Sequence, residues 1–337
     1  MPAQVTIKPS NHVITVLDDE TILDAALREG FVISYGCRNG ACGTCKGKVI
    51  EGKVDYGKYQ ESALSEADKR LGMALFCQAK PRGDVVIECR EISAVKDIHI
   101  RTLPCRVQKM QRPAADIMVL HLKLPAAERL QFLAGQYISV LLKIGTRRDL
   151  SMANAPHDDE FLQLHLRNYG GPFSTHVFTK MKERDILRFE GPFGTFFLRE
   201  DSDKPIILLA SGTGFAPVKA IVEHALHTRD PRPMVLYWGA RVRADLYMNE
   251  LPERWAGEHP NFKYVPVLSE PLLEDNWGGR TGLVHQAVMR DIPDMSGYQV
   301  YACGAPVMVE AAHRDFTSRL GLPEEEFFSD AFTPAVP

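Results

Sequence analysis

The chain has 337 residues, 45% hydrophobic and 25% charged, with 40 Lys and Arg against 43 Asp and Glu for a net charge of −3. That length and balance predict two or three soluble domains with ordinary cores. They exclude a polybasic binder of nucleic acid or of an anionic membrane surface and, with no apolar run near about 18 residues, a membrane-spanning helix. The opening MPAQVTIKPS lacks the basic and apolar regions of a secretory leader, so a cytoplasmic location is expected; a monomer is expected as well.

In chain order, VTI at 5–7, a KPSN turn and HVITV at 12–16 read as a hairpin. Ile22, Leu23, Ala26 and Leu27 share one helical face, and Gly30 stops that helix. The next stretch, YGCRNGACGTCK at 35–46, places Cys37, Cys42 and Cys45 in a C-x4-C-x2-C spacing, with Cys77 thirty-two positions on. This is the spacing of plant-type [2Fe–2S] centres. Four thiolates around two irons and two sulfides leave an anionic group that the backbone must wrap closely. Gly36, Gly40, Ala41, Gly43 and Thr44 are small enough to allow this and to aim N–H groups at sulfur; Arg38 adds a positive charge. The alternative is zinc, whose sites usually show two short-spaced CxxC pairs; here there is one. KGKVIEGKV then reads as strand, turn and strand. Ser65 with Asp68 opens a short helix through a capping box, and DVVIEC after Cys77 is the last strand of the region. Cys89, Cys105 and Cys303 remain of seven cysteines, and no disulfide framework is expected. The charged, mixed stretch ending at Pro104 reads as a linker.

From 103 to 202 alternation dominates, in RVQKM, IMVLHLKL, QYISVLLK, LQLHLRN and DILRFEG, and predicts a small antiparallel barrel. Within it Arg148, Ser151, the pair Gly170 and Gly171, and Ser174 at the opening of a helix form what a pyrophosphate wants. A guanidinium forks onto phosphate oxygens, and a helix N-terminus supplies free N–H groups. A surface ion pair for Arg148 and an ordinary turn at 170–171 are the bland alternatives. After 203, the run 206–210 is continuously apolar, as for a strand buried on both faces. Gly212, Thr213 and Gly214 then allow close approach to a phosphate, and Pro217 suits the first turn of the following helix. Strand and helix alternate to the end, so a doubly wound parallel sheet is expected, with ligand bound at the carboxyl ends of its strands.

These motifs together resemble a known family. Residues 1–92 resemble the β-grasp of plant-type ferredoxins. RRDLSMAN and the Gly-rich segment after it resemble the flavin-binding barrel of the ferredoxin–NADP+ reductase superfamily, and GTGFAP, YWGARVRADLY and ACGAP resemble its pyridine-nucleotide half. The fold class implied is multidomain α+β and α/β: a β-grasp [2Fe-2S] ferredoxin at 1–92, a linker at 93–102, an antiparallel six-stranded FAD-binding barrel at 103–202 and a doubly wound NAD(P)-binding domain at 203–337. The resemblance implies that Arg148 binds pyrophosphate and Ser151 hydrogen-bonds flavin N5. Leu150 stands where the family carries an aromatic. The resemblance further implies that Arg167 and the backbone near His165 line the flavin, that Cys303 and Gly304 lie beside the nicotinamide, and that Asp330 and Phe332 sit near the flavin. Plain packing of the tail aromatics is the alternative for Phe332. Arg241 and Arg243 could take a 2′-phosphate, whereas Asp245 disfavours one, and the residues alone leave the choice open; the resemblance to NADH-using oxygenase reductases implies NADH ahead of NADPH, and the family implies FAD ahead of FMN. The order ferredoxin, FAD, NAD is that of reductase components serving Rieske or di-iron oxygenases and of CDP-6-deoxy-3,4-glucoseen reductases serving a sugar dehydrase. The implied activity is electron transfer from NADH through FAD and [2Fe-2S] to a partner docking near the cluster loop. A redox sensor without turnover and a diffusible-flavin reductase are the rivals from other classes.

Overall fold

The alternation at the start folds as β1 (Ala3–Lys8) and β2 (His12–Val16), paired antiparallel, with Ala3, Val5 and Ile7 buried. The structure, a computed structural model, describes residues 2–92, 98–142 and 146–333. By contacts the chain divides into one unit of Met1–His99 with Ala331–Pro337 and a second of Ile100–Asp330.

In the first unit β3 (Lys46–Glu51), β4 (Val54–Asp55), β5 (Met73–Leu75), β6 (Lys80–Pro81) and β7 (Val85–Glu88) complete the strands. The main sheet runs β2-β1-β7-β3-β5, with β1 and β7 parallel. The two strands expected from KGKVIEGKV do not pair with each other: β4 pairs with β6 instead. Helix α1 (Ile22–Arg28) buries Ile22, Leu23, Ala25 and Ala26 and is capped by Thr21, whose hydroxyl accepts from Asp24 N. Helix α2 (Glu66–Arg70) carries the expected capping box of Ser65 and Asp68. The result is the β-grasp.

Of the stretch expected as linker, 93–97 lie outside the described residues, and β8 (Arg101–Ala114) already begins within its last two positions. β9 (Ile117–Lys123), β10 (Tyr137–Leu141), β11 (Arg147–Ser151), β12 (Leu162–Arg167) and β13 (Ile186–Phe193) come next. All six pair antiparallel in the order β11-β10-β13-β8-β9-β12. A bridge between Met152 and Leu164 brings the two end strands together. Val107, Leu120, Ile138, Val140, Leu164 and Phe189 fill the interior. Helix α3 (Pro172–Thr179) covers it with Phe173 and Val177.

The rest of the second unit alternates β14 (Ile206–Ser211), α4 (Phe215–His227), β15 (Met234–Ala240), α5 (Glu250–Glu258), β16 (Phe262–Leu268), β17 (Arg280–Thr281), α6 (Val284–Asp291), β18 (Gln299–Gly304), α7 (Pro306–Leu320) and β19 (Phe327–Ala331). The sheet order is β17-β16-β15-β14-β18-β19, parallel from β17 to β18. Chain progression moves outward from β14 to β17 and then returns to β18 on its other side. The β14–β18 junction is therefore the topological switch point, where such sheets open a crevice for ligand.

Candidate functional site

The cluster loop is shaped by its own backbone. Gly40 sits at φ +78°, a region open to glycine, and a Cβ there would lie 2.5 Å from Lys58 O. Arg38 holds φ +57° as well. The loop is fixed from behind: Gln60 N donates to Gly40 O at 2.9 Å, Gln78 Nε2 to Arg38 O at 3.2 Å, and Arg38 Nη2 pairs with Asp24 Oδ1 at 3.0 Å. The positive charge that Arg38 brings to the loop is thus partly offset by Asp24 of α1. The first free N–H groups of α1 are satisfied by Ala79 O and Phe76 O, at 3.0 and 2.9 Å, which brackets Cys77.

The sulfurs receive backbone donors. Cys37 N points at Cys42 Sγ and Ala41 N at Cys37 Sγ, each at 3.4 Å, with Thr44 Oγ1 3.3 Å from Cys42 Sγ. The four thiols associate as two pairs, Cys37 with Cys42 and Cys45 with Cys77. In each pair one member falls and the other rises. The hydrogen bond with Cys42 draws Cys37 down to about 6, helped by N–H groups of Asn39, Ala41 and Cys42 against burial, while Cys42 goes well up. Cys77 is lowered first by Cys45, which itself rises. No three His, Cys, Asp or Glu side chains among the described residues gather tightly enough for a single metal ion. Two thiol pairs ringed by N–H donors fit a two-iron centre, two thiolates to each iron, better than one zinc.

The second site is built from segments far apart in sequence. Ser151, the last residue of β11, donates its hydroxyl to Asp330 Oδ2 on β19 at 3.0 Å, across 179 positions. Cys303 Sγ, at the end of β18, lies 4.0 Å from the same oxygen. Cys303 is fully buried, and burial first, then the Asp330 charge, pushes its thiol well up, so it stays protonated. Both glycine turns flank this point at the switch. A Cβ on Gly214 would fall 2.2 Å from Cys303 O, and one on Gly304 would fall 2.3 Å from Ser211 Oγ. Two backbones therefore touch where a nucleotide would be gripped. Pro217 lies in the first turn of α4 as expected, and Thr213 is buried.

Other expected residues lie on β11, on α3 and after β19. Arg148 is exposed on β11, and its guanidinium donates to Arg147 O at 3.2 Å. Leu150 is partly buried and packs against the barrel core. Helix α3 starts at Pro172 with Gly171 as its cap, so Ser174 lies inside the first turn and donates to Gly171 O at 3.1 Å; it does not open the helix. Gly170 takes φ +76° before it. Phe332 follows β19 and is 37% exposed.

Arg167, Arg241 and Asp245 form a connected group, and His165 is held separately by Tyr247. Arg167 Nη2 pairs with Asp245 Oδ1 at 2.6 Å. Its Nε lies 2.8 Å from Asp116 Oδ2 without an aligned hydrogen bond, an ion pair in charge only. Arg241 reaches Asp245 only at 3.9 Å and is 70% exposed, while Arg243 Nη1 donates to Asp275 O at 3.3 Å. His165 is buried, with Nδ1 2.8 Å from Tyr247 Oη and Nε2 without a partner among the described residues, a polar contact left for a bound group. Tyr247 stands edge-on to Trp238, which stacks on Phe215 at 3.9 Å and donates Nε1–H to Gly212 O. Trp238 and Tyr247 fall within YWGARVRADLY, but that segment gives neither a role of its own; Asp116 escapes sequence reading, since nothing in its local pattern marks it, and only the fold sets it against Arg167.

The fold and both sites define a three-part electron-transfer flavoprotein with a ferredoxin module. Similarity to known proteins places it further. The 2Fe-2S iron-sulfur cluster binding domain matches residues 5–82, the oxidoreductase FAD-binding domain 104–198 and the oxidoreductase NAD-binding domain 208–314. The CDP-6-deoxy-L-threo-D-glycero-4-hexulose-3-dehydrase reductase of Yersinia pseudotuberculosis serotype I (strain IP32953) is 42% identical over 99% of this chain and 100% of its own. The phenol 2-monooxygenase reductase component DmpP of Pseudomonas sp. (strain CF600) is 36% identical over 93% of this chain and 89% of its own. The crystal structure of the Amycolatopsis cytochrome P450 reductase GcoB superposes with a TM-score of 0.80 at 34% identity, over 99% of this chain and 100% of that one. The chain belongs to the three-domain reductases of the ferredoxin–NADP+ reductase superfamily. It is an NAD(P)H oxidoreductase that binds a [2Fe-2S] cluster, FAD and NAD.

Proposed function

We propose that this protein draws electrons from NADH and delivers them, one at a time through its cluster, to a terminal oxygenase component of the Rieske or di-iron class. The nicotinamide supplies a hydride, the flavin turns a pair of electrons into single ones, and the cluster accepts one at a time. The observation that carries the reading is the meeting of Ser151, Cys303 and Asp330 beside the two glycine turns. Ser151 offers a hydroxyl whose orientation Asp330 fixes. Cys303 keeps its proton and presents an uncharged wall. Gly212, Thr213, Gly214 and Gly304 let backbone approach the nucleotide, while Arg148, His165, Arg167, Gly170, Gly171 and Ser174 line the flavin side. Cys37, Cys42, Cys45 and Cys77 hold the cluster. Asp245, held by Arg167, puts a negative charge where a 2′-phosphate would lie, which supports NADH over NADPH. We place the partner's docking face around the cluster loop.

Ser151→Ala tests the hydride site. Flavin reduction by NADH in stopped flow should slow about tenfold, the rate equivalent of one hydrogen bond worth about 1.4 kcal/mol; an unchanged rate removes the serine's role. A second acceptor, a sugar dehydrase, is favoured by the full-length match at 42% identity. Reconstitution with each acceptor class decides between them, by the rate of cluster reoxidation.

A further inference from the structure

Lys219 is the least expected side chain in the second unit. It lies on the second turn of α4, five residues after Gly214, and is only 5% exposed. An ammonium is costly to bury unless its protons are used. Lys219 Nζ donates to Glu223 Oε2 at 2.7 Å, one turn along the same helix, and to Ala153 O at 2.9 Å; Gln163 Oε1 stands at 3.5 Å. The pair with Glu223 offsets the charge but needs no burial, since such pairs form readily on exposed helix faces. The bond to Ala153 is what requires the lysine to reach inward. Ala153 continues the strand that carries Ser151, two residues on. Its N–H is already held by Gln163 O at 2.8 Å, and Met152 N by Gln136 O at 2.9 Å. The carbonyl bond to Lys219 therefore completes the fixing of this strand.

Traced through space, the contacts close a ring. Ser151 meets Asp330, Asp330 approaches Cys303, and Cys303 abuts Gly214. Gly214 leads into α4 and so to Lys219, which returns to Ala153 and Ser151. Lys219 is thus a charged link between the strand bearing the hydroxyl and the helix after the nucleotide turn. We propose that Lys219 is a positioning residue for the hydride step, setting the strand at 151–153 against the turn at 212–214. This rests on the reading of Ser151 and Cys303 above.

The test uses the FAD-loaded, cluster-loaded full chain. Lys219→Met keeps the stem and removes the donor. Flavin reduction by NADH should slow about tenfold or more, as a small misplacement far from the chemistry can do, with the Kd for NADH moving less than about threefold. Deuterium uptake at the Ser151, Met152 and Ala153 amides should rise, a readout independent of turnover. Glu223→Gln leaves the Ala153 bond in place and should keep the rate within about threefold of the parent. Should Lys219→Met fail to retain FAD, Lys219→Met with Glu223→Leu removes the pair without an unmatched charge, and the slowed rate and raised exchange are expected there too. An unchanged rate with unchanged exchange in either lysine variant overturns the proposal, as does an equal slowing in Glu223→Gln, which would assign the effect to charge pairing. An unchanged rate in Ser151→Ala overturns the serine reading whatever Lys219→Met does, so the two failures are told apart.

Discussion

The cluster loop and the hydride site solve opposite problems. In the loop, three of the four proposed ligands lie within nine residues, and the shaping groups are their immediate neighbours, such as Gly40 at φ +78° and the N–H of Ala41 on Cys37 Sγ. At the hydride site no two of Ser151, Gly214, Cys303 and Asp330 share an element, and the Ser151–Asp330 bond spans 179 positions. The first is a local fold with one distant anchor, Cys77. The second exists only where a barrel strand, two parallel strands and the last strand converge. A local site should fail alone when damaged, whereas a convergent one should fail with its scaffold.

Cys42→Ser gives the largest expected effect. It removes one thiolate of the Cys37–Cys42 pair, so cluster absorbance and cytochrome c reduction should be lost while NADH–ferricyanide activity persists. Loss of both activities would break the idea that the loop is independent. Next in size are paired glycine replacements. Gly214→Ala places a methyl 2.2 Å from Cys303 O, which is backbone and cannot swing away. It should lower stability of the second unit by about 1–3 kcal/mol and weaken NADH binding, read by thermal melting and titration. Gly40→Ala, with its Cβ 2.5 Å from Lys58 O, should instead reduce cluster content and spare nucleotide affinity. A smaller effect is cofactor choice: on the role proposed for Asp245, kcat/KM should favour NADH over NADPH, and Asp245→Ser should narrow the ratio.

The smallest expected effect concerns acid. Burial first, then the nearby Lys219 charge, holds His165 well below its ordinary 6.5. The folded-state pKa is depressed, so the unfolded chain takes up the proton first as pH falls. The stability His165 contributes is whole above pH 6.5 and is lost below it. The melting temperature of the holoprotein should fall from about pH 6.5 downward, and His165→Gln should flatten that limb. An identical limb in the variant would place the acid sensitivity elsewhere.

Much of this is legible from local pattern. The cysteine spacing, the capping box of Ser65 and Asp68, and the apolar run of β14 each express chemistry among near neighbours, and the capping box and β14 stand in the fold as read. Helix α3 starts two residues before the serine expected to open it, because Gly171 caps the helix through its backbone and leaves no side-chain signal. Arg38 and Asp245 look like free charges in the sequence because their partners, Asp24 and Arg167, lie 14 and 78 positions away.

The sequence by itself determined the three kinds of module and their order, because these depend on spacing, periodicity and small residues at fixed offsets. Only the tertiary structure decided that Ser151, Cys303 and Asp330 meet, that Gly214 touches the Cys303 backbone, and that a buried lysine bonds the strand beside Ser151. Those contacts join residues through the switch point of a parallel sheet, and a chain carries no local record of which distant strand its end will face.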